Sequence, residues 1–126
     1  MLYYILSYTK HRGAAMNDKY ERQMKKGVLD MLVLKLLESE SKYGYQIIQE
    51  MKEKSREIFQ LKDGTLYPIL YRLEDDGLVI SKWSEAKGKQ AARKYYEITA
   101  DGRKALNDIS TVWKNIADGI KKIMEE

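Results

Sequence analysis

At Gly77 the hydrophobic period of this 126-residue chain changes, and that change restricts the fold more than any single motif. Before it, three apolar segments repeat with the period of helices. After it come two short runs rich in β-branched and aromatic residues, and then one long helical pattern. From Lys25 to Glu38 the residues Val28, Leu29, Met31, Leu32, Val33, Leu34, Leu36 and Leu37 wrap most of the way round a helix, which marks it as the buried central one. A polar break at Ser39 to Lys42 leads to Gly44, Ile47, Ile48 and Met51, spaced for an amphipathic second helix ending near Lys54. A third helix follows Lys62-Asp63-Gly64, buries Leu66, Ile69, Leu70 and Leu73, and stops at Gly77, a left-handed cap. With Thr65 as its N-cap, Pro68 falls among the first-turn positions whose N–H groups have no intrahelical partner. The expected start is therefore at or very near Thr65.

Residues 78–83 and 93–99 read as two antiparallel strands, joined by a polar, basic loop over 85–92 that is too long for a tight turn. Thr99 then caps a helix running to about Met124, interrupted only by Gly102 and Gly119. The expected fold is mainly α with a small β-hairpin, an α+β class. A winged helix-turn-helix spans 24–99, a long C-terminal dimerisation helix spans 100–126, and an arm or extension occupies 1–23.

The composition removes several chemistries. With no cysteine and one histidine, His11, there is no thiolate nucleophile, no Cys/His zinc site and no Ser-His-Asp arrangement. Asp75-Asp76 sits at a helix end without a surrounding base, nucleophile or metal set, so solvated charges are expected rather than an enzyme. No catalytic residue, metal site or cofactor is expected. No run of about eighteen apolar residues occurs, so no membrane span is predicted. The apolar Met1 to Tyr8 lacks a basic residue ahead of it and is short for a signal segment, so a cytoplasmic protein is expected. Residues 1 to 15 lack caps and periodicity and read as a disordered arm, with Met16 and Met24 as alternative starts.

The net charge of +4 permits a polyanionic partner without requiring one, so its distribution decides. Residues 28 to 84 carry eight basic and ten acidic side chains, whereas Lys87, Lys89, Arg93 and Lys94 crowd the hairpin against Glu85 and Glu97. On the third helix, the face opposite the apolar set presents Thr65, Tyr67, Pro68, Tyr71 and Arg72. Hydroxyls and apolar groups there suit phosphate contacts and thymine methyls, and Arg72 suits a phosphate or a guanine. Lys87, Lys89 and Arg93 would neutralise phosphates from the hairpin loop. Tyr67 and Tyr71 equally suit half-buried core aromatics, Arg72 a solvated charge, and the loop lysines a solvated tip. A winged-helix module that docks on a protein through its aromatic surface is the competing reading.

Leu106, Ile109, Trp113, Ile116, Ile120 and Ile123 are separated by 3, 4, 3, 4 and 3, a heptad seam. A helix of that span is about 37 Å long, against a radius of gyration of about 12 Å for the domain it leaves, so it overhangs. The same stripe on a second copy is the expected partner, giving a two-fold dimer that matches a palindromic DNA site. Burial against the N-terminal segment of its own chain is the alternative.

Several motifs together resemble the PadR family of bacterial winged-helix regulators: Gly27-Val28-Leu29-Asp30-Met31-Leu32-Val33-Leu34; Tyr43-Gly44-Tyr45-Gln46-Ile47; Gly64-Thr65-Leu66-Tyr67-Pro68-Ile69-Leu70-Tyr71-Arg72-Leu73-Glu74 with Gly77-Leu78; Trp83; and Tyr95-Tyr96-Glu97-Ile98-Thr99 with Gly102. The likeness covers about residues 25 to 115. It implies a homodimeric transcriptional repressor released by a small molecule, in the short subgroup with a single C-terminal helix. Carried onto this chain, it places Thr65, Tyr67, Pro68, Tyr71 and Arg72 on the reading helix, Tyr43 and Gly44 at the start of the supporting helix, and Lys87 and Lys89 on the wing. It also makes Trp113 a platform for a planar hydrophobic ligand, where a large interface residue is the plainer account. The extension before Met24 departs from the family pattern.

Overall fold

The computed structural model describes residues 14–125. Among the described residues, five helices and three strands follow in the order α1 (Ala14–Lys26), α2 (Leu29–Leu37), β1 (Lys42–Tyr43), α3 (Gly44–Lys54), α4 (Asp63–Asp75), β2 (Val79–Trp83), β3 (Lys94–Ile98) and α5 (Ala100–Met124). The expectation of a disordered arm lies outside the described residues up to position 13. From Ala14 onward it is corrected, because that stretch is helical. The single helix expected over 25–38 is also divided. Its chain turns at Gly27-Val28, where the Val28 N–H donates to the Lys25 carbonyl at 3.0 Å before α2 begins.

The sheet has three strands, not the two of a simple hairpin, in the antiparallel order β1-β3-β2. Lys42 pairs with Tyr96 and Tyr43 with Tyr95, while β2 pairs with β3 from Val79↔Ile98 to Trp83↔Lys94. Lys42 belongs to the polar break in the sequence, yet it is buried at 1% exposure. Its ammonium donates to Ser39 Oγ at 3.1 Å and lies 3.5 Å from Glu50 and 3.8 Å from Glu40. Those partners offset the desolvation of a charge taken out of water.

The core forms where α2 packs against α3, α4, β3 and α5. Val33, Leu34 and Leu37 of α2 meet Ile47, Leu66, Leu70, Val79 and Tyr96, all sealed from solvent. Gly77, at φ +75°, ends α4 as expected. The Leu78 N–H donates to the Leu73 carbonyl and the Gly77 N–H to that of Glu74, the two bonds of a left-handed glycine cap. Thr99 caps α5 as expected, its Oγ1 accepting from the Gly102 N–H at 3.0 Å. The same hydroxyl donates to the Gly77 carbonyl at 2.8 Å, and the Thr99 N–H donates to the Leu78 carbonyl at 3.0 Å.

Gly102 is the tightest point of this junction. A Cβ there would come 2.1 Å from the Leu78 carbonyl oxygen, a backbone atom that cannot swing aside, whereas a Cβ at Gly119 on the same helix meets nothing within 4 Å. Intrinsic helix propensity favours alanine at both sites. Gly102→Ala is expected to destabilise by about 2–3 kcal/mol through overpacking, and Gly119→Ala to stabilise by about 0.5–1 kcal/mol. Urea unfolding of the two variants checks the opposite signs.

Tyr96 is fully buried, and among the described residues its hydroxyl is a buried side-chain group with no hydrogen-bond partner. Burial, with Tyr71, Glu74 and Tyr67 nearby, pushes its pKa up to about 12 from 10.0. A phenol that ionises later when folded than when unfolded lends stability that is complete below pH 10 and is lost as pH rises toward 12. Tyr96→Phe should remove that alkaline loss and leave stability at pH 7 unchanged or higher by about 1 kcal/mol, since no bond is broken. Thermal melts of both proteins at pH 7 and pH 11 decide it; a large loss at pH 7 would show that the hydroxyl has a partner.

Candidate nucleic-acid interface

The segment joining α3 to α4 sets where the third helix of the helix-turn-helix begins. Arg56 and Glu57 both take positive φ, 51° and 69°. Non-glycine residues in that region cost about 1–2 kcal/mol each. The turn holds because the Glu57 N–H donates to the Lys52 carbonyl at 2.8 Å and the Phe59 N–H to Ser55 Oγ at 2.9 Å. Lys25 of α1 grips the same segment. Its ammonium donates to the Ile58 carbonyl, lies 5.5 Å from the Phe59 ring centroid and pairs with Glu21.

Helix α4 starts earlier than the Thr65 cap implied. Lys62 is the N-cap, and its carbonyl accepts from the N–H groups of Thr65 and Leu66. Pro68 consequently sits inside the helix, and the carbonyl of Gly64, four residues earlier, receives no proline donor. Leu66, Ile69, Leu70 and Leu73 are buried as expected, while Thr65, Pro68 and Tyr71 are exposed.

Two residues of the predicted reading face do other work. Tyr67 is half-buried and turned toward α3. A Cβ added at Gly44 would lie 2.4 Å from the Tyr67 hydroxyl and 2.9 Å from its Cζ, so Gly44 is the space that ring occupies. Burial raises the Tyr67 pKa, helped by Asp63 and Tyr71. Arg72 does not project freely. Its guanidinium pairs with Asp30 of α2, tying α4 to the central helix.

On the second side of α4, Ser81 of β2 donates to the Glu74 carboxylate. Strand alternation then places Tyr96 and Lys94 on the sheet face that meets α4, and Tyr95 and Arg93 on the other. Arg93 accordingly lies over the Tyr43 ring at 4.5 Å, with Tyr95 edge-on at 5.4 Å and Tyr45 stacked at 6.5 Å. Tyr43 also opens α3, its N–H donating to Gln46 Oε1 at 3.1 Å. The hairpin cation beside α4 is instead Lys94, 5.7 Å from the Tyr71 ring and 5.5 Å from that of Tyr96. Its register partner is Trp83, 69% exposed. Neither Lys94 nor Trp83 was among the expected site residues. Counting back by two from the buried Tyr96 would have found Lys94.

The wing tip also differs from expectation. Lys87 and Gln90 exchange two backbone hydrogen bonds around Gly88-Lys89, with Gly88 at φ +57°, so the loop does close on a tight two-residue turn. Lys87 and Lys89 are exposed there. Thr65, Pro68 and Tyr71 are thus exposed on α4 with Lys94 beside Tyr71, and Lys87 and Lys89 are exposed at the tip of the same hairpin. Among the described residues no group of three or more His, Cys, Asp or Glu could hold a metal ion. No helix there is long and apolar enough to cross a membrane.

The α5 seam divides in two. Leu106 is 3% exposed in the core of its own chain, which corrects its expected place in a dimer interface, and Ile109 and Trp113 are half-buried against that core. Beyond them Ile116 and Ile123 are 56% and 73% exposed, with Ile120 half-buried.

Comparison with known proteins agrees with this geometry. Residues 33–108 match the profile of the transcriptional regulator PadR-like family. A transcriptional regulator of Mycobacterium tuberculosis is 33% identical over 87 residues, covering 69% of this chain and 77% of its own length. The negative transcriptional regulator PadR of Bacillus subtilis is 30% identical over 81 residues, 64% of this chain and 44% of its own. The crystal structure of a PadR family transcriptional regulator from Eggerthella lenta superposes with a TM-score of 0.75 at 32% identity, covering 90% of this chain and 98% of that one. With a winged helix, an exposed α4 face and the family profile spanning both, the chain belongs to the PadR-like family of transcriptional regulators.

Proposed function

We propose that this regulator acts as a homodimeric repressor that binds a palindromic site in double-stranded DNA and is relieved by a small molecule. The observation that carries DNA binding is the placing of Lys94 beside the exposed α4 residue Tyr71, on the helix face that also bears Thr65 and Pro68, with the exposed Lys87 and Lys89 at the tip of the same hairpin. In that arrangement α4 enters a major groove, Thr65 and Tyr71 offer hydroxyls, Pro68 offers an apolar contact, and the lysines hold flanking phosphates. Arg72, Tyr67 and Gly44 serve by positioning α4, and Arg93 and Tyr43 by bracing the hairpin against the start of α3. Repression follows the sign of the Bacillus subtilis relative. Trp113, half-buried in mid-stripe, is the surface on which a planar hydrophobic ligand would stack.

The experiment is fluorescence anisotropy of labelled DNA from upstream of the protein's own gene, titrated at several salt concentrations against a scrambled control. Selective binding with a steep salt slope is expected. Changing Lys87 and Lys89 to alanine should lower the slope by about 1.8 per protomer, because each lost phosphate contact removes about 0.9. An unchanged slope removes the wing from the interface.

Dimerisation through the outer half of α5 is supported by Ile116, Ile120 and Ile123, apolar residues that their own domain leaves wholly or partly uncovered. Ile116→Glu combined with Ile120→Glu should leave the helical content intact and shift sedimentation from dimer to monomer. Operator affinity should fall by about 100-fold or more, as expected when two linked contacts become one. A variant that still sediments as a dimer places the interface elsewhere.

A further inference from the structure

A cleft of about 440 Å³ opens between α1 and the segment that leads into α4. Its floor is apolar, made by Leu29, Phe59 and Leu61, and its rim is cationic, made by Arg22, Lys25 and Lys26. Lys25 is already committed to Glu21, the Ile58 carbonyl and the Phe59 ring. Glu21 is thereby neutralised too. Among the described residues Arg22 and Lys26 have no ion-pair partner, so the cleft presents two uncompensated positive charges over a greasy floor. No residue of α5 lines it, which separates it from Trp113.

We infer that this cleft is a binding site for an amphipathic organic anion: an aromatic or alicyclic body bearing one carboxylate or sulfonate. The volume is that of a small-molecule site, and its lining divides between three apolar side chains, Leu29, Phe59 and Leu61, and four charged ones, Glu21, Arg22, Lys25 and Lys26. The charge selects the class. An apolar body buries against Phe59 and Leu61 while its anionic group meets Arg22 and Lys26; a cation would be repelled, and a neutral analogue would leave both charges unused. A phosphodiester backbone has no use for the apolar floor.

Thr65 also lines the cleft and stands on the exposed face of α4. An anion held there lies beside the place where DNA phosphates approach, so occupancy opposes operator binding through like charge. This consequence rests on the DNA-binding reading; the site itself does not.

The probe is 1-anilinonaphthalene-8-sulfonate, compared with N-phenyl-1-naphthylamine, which has the same rings and no charge. Saturable binding of the sulfonate to the full chain is expected, with ¹⁵N–¹H shifts centred on Gln60, Leu61 and Thr65. The double variant Arg22→Gln, Lys26→Gln changes exposed residues of α1 and should weaken the sulfonate about tenfold while leaving the neutral probe unaffected. Absence of binding, equal affinity in the variant, or shifts confined to α5 around Trp113 would overturn the proposal. In a second arm, saturating sulfonate should raise the operator dissociation constant several-fold for the wild type and less for the variant. If the sulfonate maps to the cleft but the protein binds no DNA, the ligand site stands and the repressor reading falls.

Discussion

The ring of Tyr67 lies against the backbone of Gly44, and that contact sets how closely α3 and α4 can cross. A side chain at position 44 would push the two helices apart, and everything exposed on α4 would move with it. Three further ties act on the same helix from other directions: Arg72 to Asp30 on α2, Glu74 to Ser81 on β2, and Tyr71 against Lys94 on β3. Individually these are modest, since half-exposed ion pairs are worth about 1 kcal/mol or less. Together they leave α4 little freedom to rotate, and pre-organisation of that kind lowers the ordering cost of docking on a partner. Two of the five residues on the expected reading face, Tyr67 and Arg72, therefore hold α4 in place.

What was legible in the sequence were the features governed by local rules. The period of α3 and α4, the left-handed cap at Gly77, and Thr99 as N-cap depend on residues within one or two turns of each other, and they came out where expected. The features that escaped depend on distant partners. Asp30 lies 42 residues from Arg72, so nothing in the neighbourhood of the arginine announces its commitment. The strand β1 is two residues long and carries a lysine, which every local preference assigns to a loop; only pairing with β3 and the carboxylates around Lys42 make it a buried strand. Lys94 and Arg93 are adjacent in sequence and point to opposite sheet faces, and treating them as one basic cluster blurred which one meets α4.

Helix α5 shows a division of labour within one regular pattern. The heptad spacing from Leu106 to Ile123 looks uniform, but its first part closes the core and its last part does not. A single repeat thus serves intrachain packing and then becomes available for association. The changeover falls near Trp113, whose large ring spans both environments.

The Thr99 hydroxyl accepts from the first turn of α5 and donates to the glycine that ends α4. One side chain therefore joins the start of α5 to the end of α4, the helix on which Thr65, Pro68 and Tyr71 stand exposed. With α5 25 residues long, about 37 Å at 1.5 Å per residue, a tilt of about 5° about Thr99 sweeps its far end through about 3 Å. Gly102, pressed on the Leu78 carbonyl, leaves no slack at that point. The junction thus joins α4 and α5 without slack, so that a small angular change near Thr99 becomes a displacement of several ångströms at the far end of α5.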